Sequence, residues 1–402
     1  MKNKIFHTQD LCFAQTCDAL ESSAEMEIYM KVVAAIDSFK GSMTSMEAGN
    51  AVKKGILAAK PDAEVVVKPL ADGGEGTVDA LIEGLGAEKI PVTVAGPLGE
   101  KVSCYYGFLE ETKTAVMEMA SAAGITLVTK KDPLRASTYG VGEMIADALK
   151  RGCKNFMIGI GGSATNDGGI GMLKALGFEF FDEDGNDVGE GAAALAKIEV
   201  IQTENKNPLL SGAKFQIACD VKNPLCGKQG ATYIFGPQKG VTEEQKEQVD
   251  EAMRHYADVT KESLDCDFAD CEGAGAAGGL GYAFLSYLAG ELIPGVELIL
   301  QATGLEEKMK NADVVVTGEG RLDAQTVMGK APAGVAALAK KYNAKVIAFA
   351  GSVAPEAKVC NRAGIDAFFP IVRGVTTLEE AMKKENAMEN IAATAEQVFR
   401  LL

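Results

Sequence analysis

The sequence predicts an α/β fold: two α/β domains, one discontinuous and built on a parallel three-layer sheet, the other inserted into it and built on a mixed sheet. Three observations lead there. At both ends of the chain, short apolar runs alternate with helix-spaced segments, a rhythm that implies parallel strands with helices on both faces. In the middle the texture changes to short strands joined by tight turns, as in antiparallel pairs. Finally, 402 residues exceed what one hydrophobic core ordinarily serves, so two domains are expected.

The elements follow in order. Lys31 to Ile36 (KVVAAI) reads as a strand, and the Thr44 to Lys60 segment has helical spacing that stops at Pro61. Val65 to Leu70 reads as a second strand, followed by ADGGEGT and a helix near Thr77 to Glu83. From Ile90, PVTVAGPLGEKVSCYYGFL and TAVMEM read as strands, the first two joined by a Gly-Glu turn. A helix from Ser137 to Arg151 is stopped by Gly152. The strand NFMIGI then leads into GGSATNDGG, and FEFF, KFQIACD and ATYIF read as further short strands. The β-α rhythm returns with Asp313 to Thr317, a helix after Pro332, Lys345 to Ala350 and Asp366 to Val372. Residues 30–90 and 292–402 therefore make the discontinuous domain and 91–291 the inserted one, with the cleft between them as the default ligand site. Residues 1–29 show no clear period. They are read as a poorly ordered N-terminal extension, and Met26 and Met30 raise the expectation of a start nearer the first strand.

Composition narrows the chemistry. With 47% hydrophobic and 24% charged residues and 45 glycines, the chain reads as soluble and globular. A net charge of -16 without any Lys/Arg run argues against a nucleic-acid partner. No apolar run reaches the length of a membrane span, and the opening stretch lacks the apolar core of a signal peptide. A cytoplasmic protein without membrane partners, monomeric or homodimeric, is expected. The nine cysteines are scattered without a C-x-x-C, which fits reduced thiols. His7 and His255, the two histidines, lie in no ligand spacing, so a zinc site or histidine base is disfavoured. Catalysis must rest on Asp, Glu, Lys, Arg and backbone groups.

In parallel sheets ligands bind beyond the carboxyl ends of strands, so polar loops after apolar strands come first. In Asp37-Ser38-Phe39-Lys40-Gly41-Ser42 a carboxylate leaves a strand, and a lysine precedes a helix whose N-terminal amides attract anions. Its bland alternative is helix capping by Ser42 or Thr44. In Asp72-Gly73-Gly74-Glu75-Gly76-Thr77 three glycines permit close backbone approach while two acids can bind Mg²⁺ or a hydroxyl. Turn chemistry alone also favours Asp there. The richest loop is Gly161 to Gly169, with Ser163, Thr165, Asn166 and Asp167; it matches neither the Walker nor the dinucleotide spacing. A tight β-α turn is the alternative. Thr317 to Asp323 offers Glu319 and the bidentate fork of Arg321, with Lys330 just beyond, and reads as an anion clamp rather than an internal ion pair. Gly273 to Gly281 carries no charge, so close helix packing suffices for it.

Taken together, DSFKGS, ADGGEGT, ASTYGVGE at 136–143, GIGGSATNDGG, GAGAAGGLG and TGEGRLDAQT resemble the first glycerate kinase family, from about Met30 to the end. The resemblance implies transfer of the γ-phosphoryl of ATP, with Mg²⁺, to a hydroxyl of D-glycerate, more often giving 2-phosphoglycerate. It also implies two α/β domains, one flavodoxin-like and one likened to a restriction-endonuclease core. On this basis Lys40, Arg321 or Arg135 holds the glycerate carboxylate, beside Ser38, Ser137 and Thr138. Asp167 or Asp37 accepts the hydroxyl proton, and Asp72 and Glu319 hold Mg²⁺. Gly161, Gly162, Ser163, Thr165 and Asn166 line the triphosphate, and Lys330 offsets charge on the γ-phosphoryl. The competing readings are a kinase for another small hydroxy acid and a non-catalytic nucleotide- or ligand-binding regulator. A hydroxy-acid dehydrogenase would need a dinucleotide fingerprint that is missing here.

Overall fold

The computed structural model describes residues 29–71 and 76–402. Expectations for residues 1–28 and for Asp72 to Glu75 fall outside this range.

Thirteen strands are found among the described residues: β1 Lys31–Ile36, β2 Glu64–Pro69, β3 Glu88–Ala95, β4 Lys101–Leu109, β5 Thr114–Glu118, β6 Asn155–Gly159, β7 Glu179–Phe181, β8 Val200–Gln202, β9 Lys214–Ala218, β10 Glu291–Ile293, β11 Val314–Leu322, β12 Lys345–Val353 and β13 Ala367–Pro370. They form an all-parallel sheet of order β13-β12-β11-β1-β2, a mixed sheet of order β10-β9-β6-β5-β4-β3, and a small β7-β8 pair.

Strand β1 shows why the parallel sheet has three layers. From Val32 onward it is buried, and successive side chains leave opposite faces. Val32, Ala34 and Ile36 pack with Val52 and Ile56 of the Ser45–Ala59 helix and with Ile391, Ala395 and Phe399 of the C-terminal helix. Val33 and Ala35 face Leu81 of the Thr77–Leu85 helix and Val335 and Ala339 of the Ala331–Lys341 helix. At Gly55 an added Cβ would lie 2.0 Å from the Ala392 carbonyl oxygen, so only glycine lets the first of these helices approach the last.

In the mixed sheet β4 runs antiparallel to β3 and β5, while β5, β6, β9 and β10 are parallel neighbours. One face packs around Tyr106, Ile145, Phe156, Ile217 and Phe284. Val116 and Met157 on the other face join Leu81 and Ile299 in the core below the parallel sheet, so helices between the two sheets serve both. Among the described residues no helix is long and apolar enough to cross a membrane.

Two segments differ from expectation. ATYIF is not a strand but the start of a helix, Ala231–Lys239, closed by Gly240 in the left-handed region at φ 104°. Its β-branched and aromatic residues favour extension locally, yet tertiary context overrides that preference. Strand β9 is already paired on both sides, by β6 and β10. The presumed loop at Thr317 to Leu322 continues β11 instead, paired to β12 as far as Leu322 opposite Val353. Gly318 permits this, because a Cβ there would stand 2.1 Å from the Phe349 carbonyl oxygen.

Candidate functional site

At the end of β1 the chain makes a tight turn. The Asp37 amide donates to the Gly318 carbonyl at 2.9 Å, Ser42 N donates to Phe39 O at 2.8 Å, and Gly41 takes a left-handed φ of 77°. Thr44, not Ser42, caps the following helix, by accepting from Glu47 N within a reciprocal capping box. The Ser42 hydroxyl oxygen is left buried without a partner.

This turn, the extended end of β11 and Lys330 surround a cavity of about 470 Å³, into which Asp37, Ser38, Lys40, Glu319, Arg321 and Lys330 are gathered. Both carboxylates are buried, Asp37 at 8% and Glu319 at 7% exposure. Glu319 accepts from the Thr326 hydroxyl at 2.6 Å and stands 3.7 Å from Lys330 Nζ. Burial pushes its carboxyl above the ordinary range, although Thr326 and Lys330 pull the other way. Arg321 lies 3.6 Å from Asp323, yet its side chain remains 70% exposed. That pair is a weak, solvent-screened contact that leaves the guanidinium available to an incoming anion. The cations can hold a small acid's carboxylate, and the buried carboxylates beside them can accept a proton from its hydroxyl.

A second cavity, of about 310 Å³, opens at the ends of β6 and β9. Gly161, Gly162 and Ser163 line it, together with Asp220, Gln238 and Lys239. Gly162 is left-handed at φ 75°, and a Cβ on Gly161 would meet nothing within 4 Å, so backbone is presented openly to this space. The carboxyl end of β5 meets the helix after β2 through Glu118, whose Oε1 accepts from Val78 N at 3.0 Å. The strand ends of the two sheets therefore converge.

Several of the expected ligand residues are hydrogen-bonded within the fold or lie away from both cavities. Asp167 is fully buried: its Oδ2 accepts from Thr138 N and Thr138 Oγ1, both at 2.8 Å, and from Gly171 N at 3.3 Å, while Oδ1 accepts from Gly169 N at 3.1 Å. Burial raises its pKa while these donors lower it. A carboxylate so surrounded braces the loop against Thr138 and lines neither cavity. Thr138 is equally committed, its hydroxyl also accepting from Met172 N at 2.9 Å, and the buried Ser137 hydroxyl accepts from Tyr139 N at 3.1 Å. Thr165 and Asn166 lie at 0% exposure behind the second cavity, Asn166 Nδ2 donating to the Thr232 hydroxyl at 3.0 Å. Arg135 is exposed and lines neither cavity. Asp72 lies outside the described residues. Sequence reading took ATYIF as a strand and did not single out Lys239, which the helix carries inward to line the second cavity.

The fold is an α/β one whose two cavities open at the carboxyl ends of parallel strands, where ligands of such folds commonly bind. A model of the glycerate kinase family matches residues 32–402. The chain is 45% identical over 372 residues to the glycerate 2-kinase of Escherichia coli (strain K12), covering 91% of this chain and 98% of that one. It is 44% identical over 371 residues to the glycerate kinase of Bacillus subtilis (strain 168), covering 92% and 97%. A crystal structure from Salmonella typhimurium LT2, provisionally named glycerate kinase 2, superposes with a TM-score of 0.85 at 43% identity, covering 92% of this chain and 97% of that one. The chain belongs to the glycerate kinase family, and it is a kinase.

Proposed function

We propose that this kinase transfers the γ-phosphoryl of ATP to the 2-hydroxyl of D-glycerate, with the acid bound in the cavity at the ends of β1 and β11 and the nucleotide in that at the ends of β6 and β9. The observation that carries this reading is the pairing of buried Asp37 and Glu319 with Lys40, Arg321 and Lys330 around one space of small-acid size. The E. coli relative's name, glycerate 2-kinase, supports the choice of hydroxyl.

Phosphoryl transfer asks the protein mainly for alignment, charge neutralisation and exclusion of water. Arg321 and Lys40 take the glycerate carboxylate, Arg321 through its fork. Ser38 and the unpartnered Ser42 hydroxyl bond the substrate's own oxygens. Asp37, at the start of the turn, accepts the proton of the attacking hydroxyl. Lys330 neutralises charge on the transferred group once the glycerate complex forms.

The donor set is compatible with Mg²⁺, which commonly takes one or two carboxylates and fills its shell with phosphate oxygens and water. Glu319 would hold it from the protein side; when bound, the ion draws off charge from the phosphate oxygens. Among the described residues no cluster of three or more His, Cys, Asp or Glu could cage a metal on its own. The seven described cysteines are free thiols, in keeping with a reducing, cytoplasmic setting.

Release of ADP, followed by a coupled assay, tests the substrate. D-glycerate is expected to be turned over at least 10²-fold faster than glycerol or L-lactate, since a pocket built for a carboxylate and vicinal hydroxyls leaves polar groups unpaired with either analogue. Equal rates on glycerol would refute the glycerate reading.

A further inference from the structure

We propose that Lys239 is the phosphate-binding lysine of the cavity at the ends of β6 and β9, its buried ammonium group receiving the polyphosphate of a nucleoside triphosphate. This rests on the nucleotide reading of that cavity.

Lys239 ends the Ala231–Lys239 helix, and its residue is only 2% exposed although it lines the cavity. Buried charges are ordinarily paired, because an isolated ammonium loses far more hydration than a neutral contact returns. Here Nζ donates to the Thr165 carbonyl at 2.6 Å, and among the described residues no carboxylate stands within 4.0 Å of it. An ammonium has three donors, so two are left for something that comes from outside. Asp167 acts on it only through space, since the Asp167 oxygens are already taken by amides and the Thr138 hydroxyl.

The neighbourhood suits a phosphate. The left-handed Gly162 and the open side of Gly161 present backbone to the cavity that Lys239 also lines, and Ser163 adds a hydroxyl. Behind this wall, Thr165 Oγ1 and Asn166 Oδ1 are buried with no partner, so the loop is not saturated without a ligand. A structural tie to Thr165 alone would be served by a neutral donor, at no cost in buried charge.

The unliganded ammonium bears that cost. Burial pulls its pKa down to about 7, against a smaller upward pull from Asp167. The other titratable groups lining the cavity are Asp220, which accepts from Gly295 N at 2.9 Å, and Cys219, whose thiol is pushed up by burial, while the Lys246–Leu264 helix packed against that of Lys239 adds Asp250, which accepts from Gly227 N, with Arg254 beside it, and the buried Tyr256. Near pH 8.5 the empty site therefore holds a mostly neutral amine, and an arriving polyanion returns the proton.

Calorimetric titration of the full-length protein with ATP, without glycerate and at about pH 8.5 in two buffers of different ionisation enthalpy, reads both affinity and proton exchange. Wild-type protein is expected to take up close to one proton on binding ATP. In Lys239→Met the affinity for ATP is expected to fall roughly 30-fold or more, the scale of one charge-assisted contact, and the uptake to vanish. Unchanged ATP affinity in Lys239→Met would overturn the assignment. Should that variant not fold, ATP binding to the wild type without proton uptake would overturn it as well. The glycerate reading fails separately: wild-type protein that binds ATP with proton uptake but releases no ADP with D-glycerate would leave Lys239 in place and remove the substrate.

Discussion

Asp37→Asn is expected to lower kcat by roughly 10² or more, the usual scale of general-base catalysis, with a much smaller change in KM for D-glycerate. The amide keeps the size and one acceptor, so the Ser38 N contact at 2.7 Å can persist, but it cannot take a proton. Among the acids first considered for this task, Asp37 lines the cavity that also holds Arg321, Lys40 and Lys330, whereas Asp167 does not. Steady-state kinetics with each substrate varied in turn, and circular dichroism to confirm folding, give the test. A near-native kcat would place the proton acceptor elsewhere.

Asp167→Asn is expected to fail differently, by loss of stability of about 2–4 kcal/mol. Both oxygens of Asp167 accept from groups that only donate or are oriented to donate, three on Oδ2 and one on Oδ1. Whichever way an asparagine amide is turned, its NH₂ faces an N–H, so at least one buried donor is left unmet and the charge-assisted bonds weaken. Urea unfolding is expected to show a lowered midpoint, while kcat per folded molecule stays within a few-fold of wild type. An unchanged midpoint with kcat reduced 10²-fold would restore Asp167 to the chemistry.

The difference between these two aspartates shows what was legible in the sequence. Alternation of apolar runs and helical spacing identified both sheets, and β1 runs from Lys31 to Ile36 as read, because a fully buried parallel strand has a continuous apolar signature. The loops were found by the same logic, so Asp37, Lys40, Glu319, Arg321 and Lys330 do share one cavity. Burial was not legible. Nothing in GGSATNDGG distinguishes Asp167, which turns inward to the amides at Gly169 and Gly171, from a carboxylate facing a ligand. Thr138 gave no local sign that its hydroxyl meets a residue 29 positions away. Lys239 was hidden by a wrong period: the strand-like letters of ATYIF conceal a helix that is selected by tertiary packing. Likewise Gly318 and Gly320 suggested a loop where small residues instead let β11 and β12 run on together.

Phosphorus NMR of the product tests the reaction itself most directly. After incubation of the purified full-length protein with D-glycerate, ATP and Mg²⁺, a new phosphomonoester resonance that coincides with added 2-phosphoglycerate is expected, appearing in step with ADP. A resonance coinciding with 3-phosphoglycerate would contradict the assigned hydroxyl, and ADP with inorganic phosphate but no phosphomonoester would contradict phosphoryl transfer to glycerate.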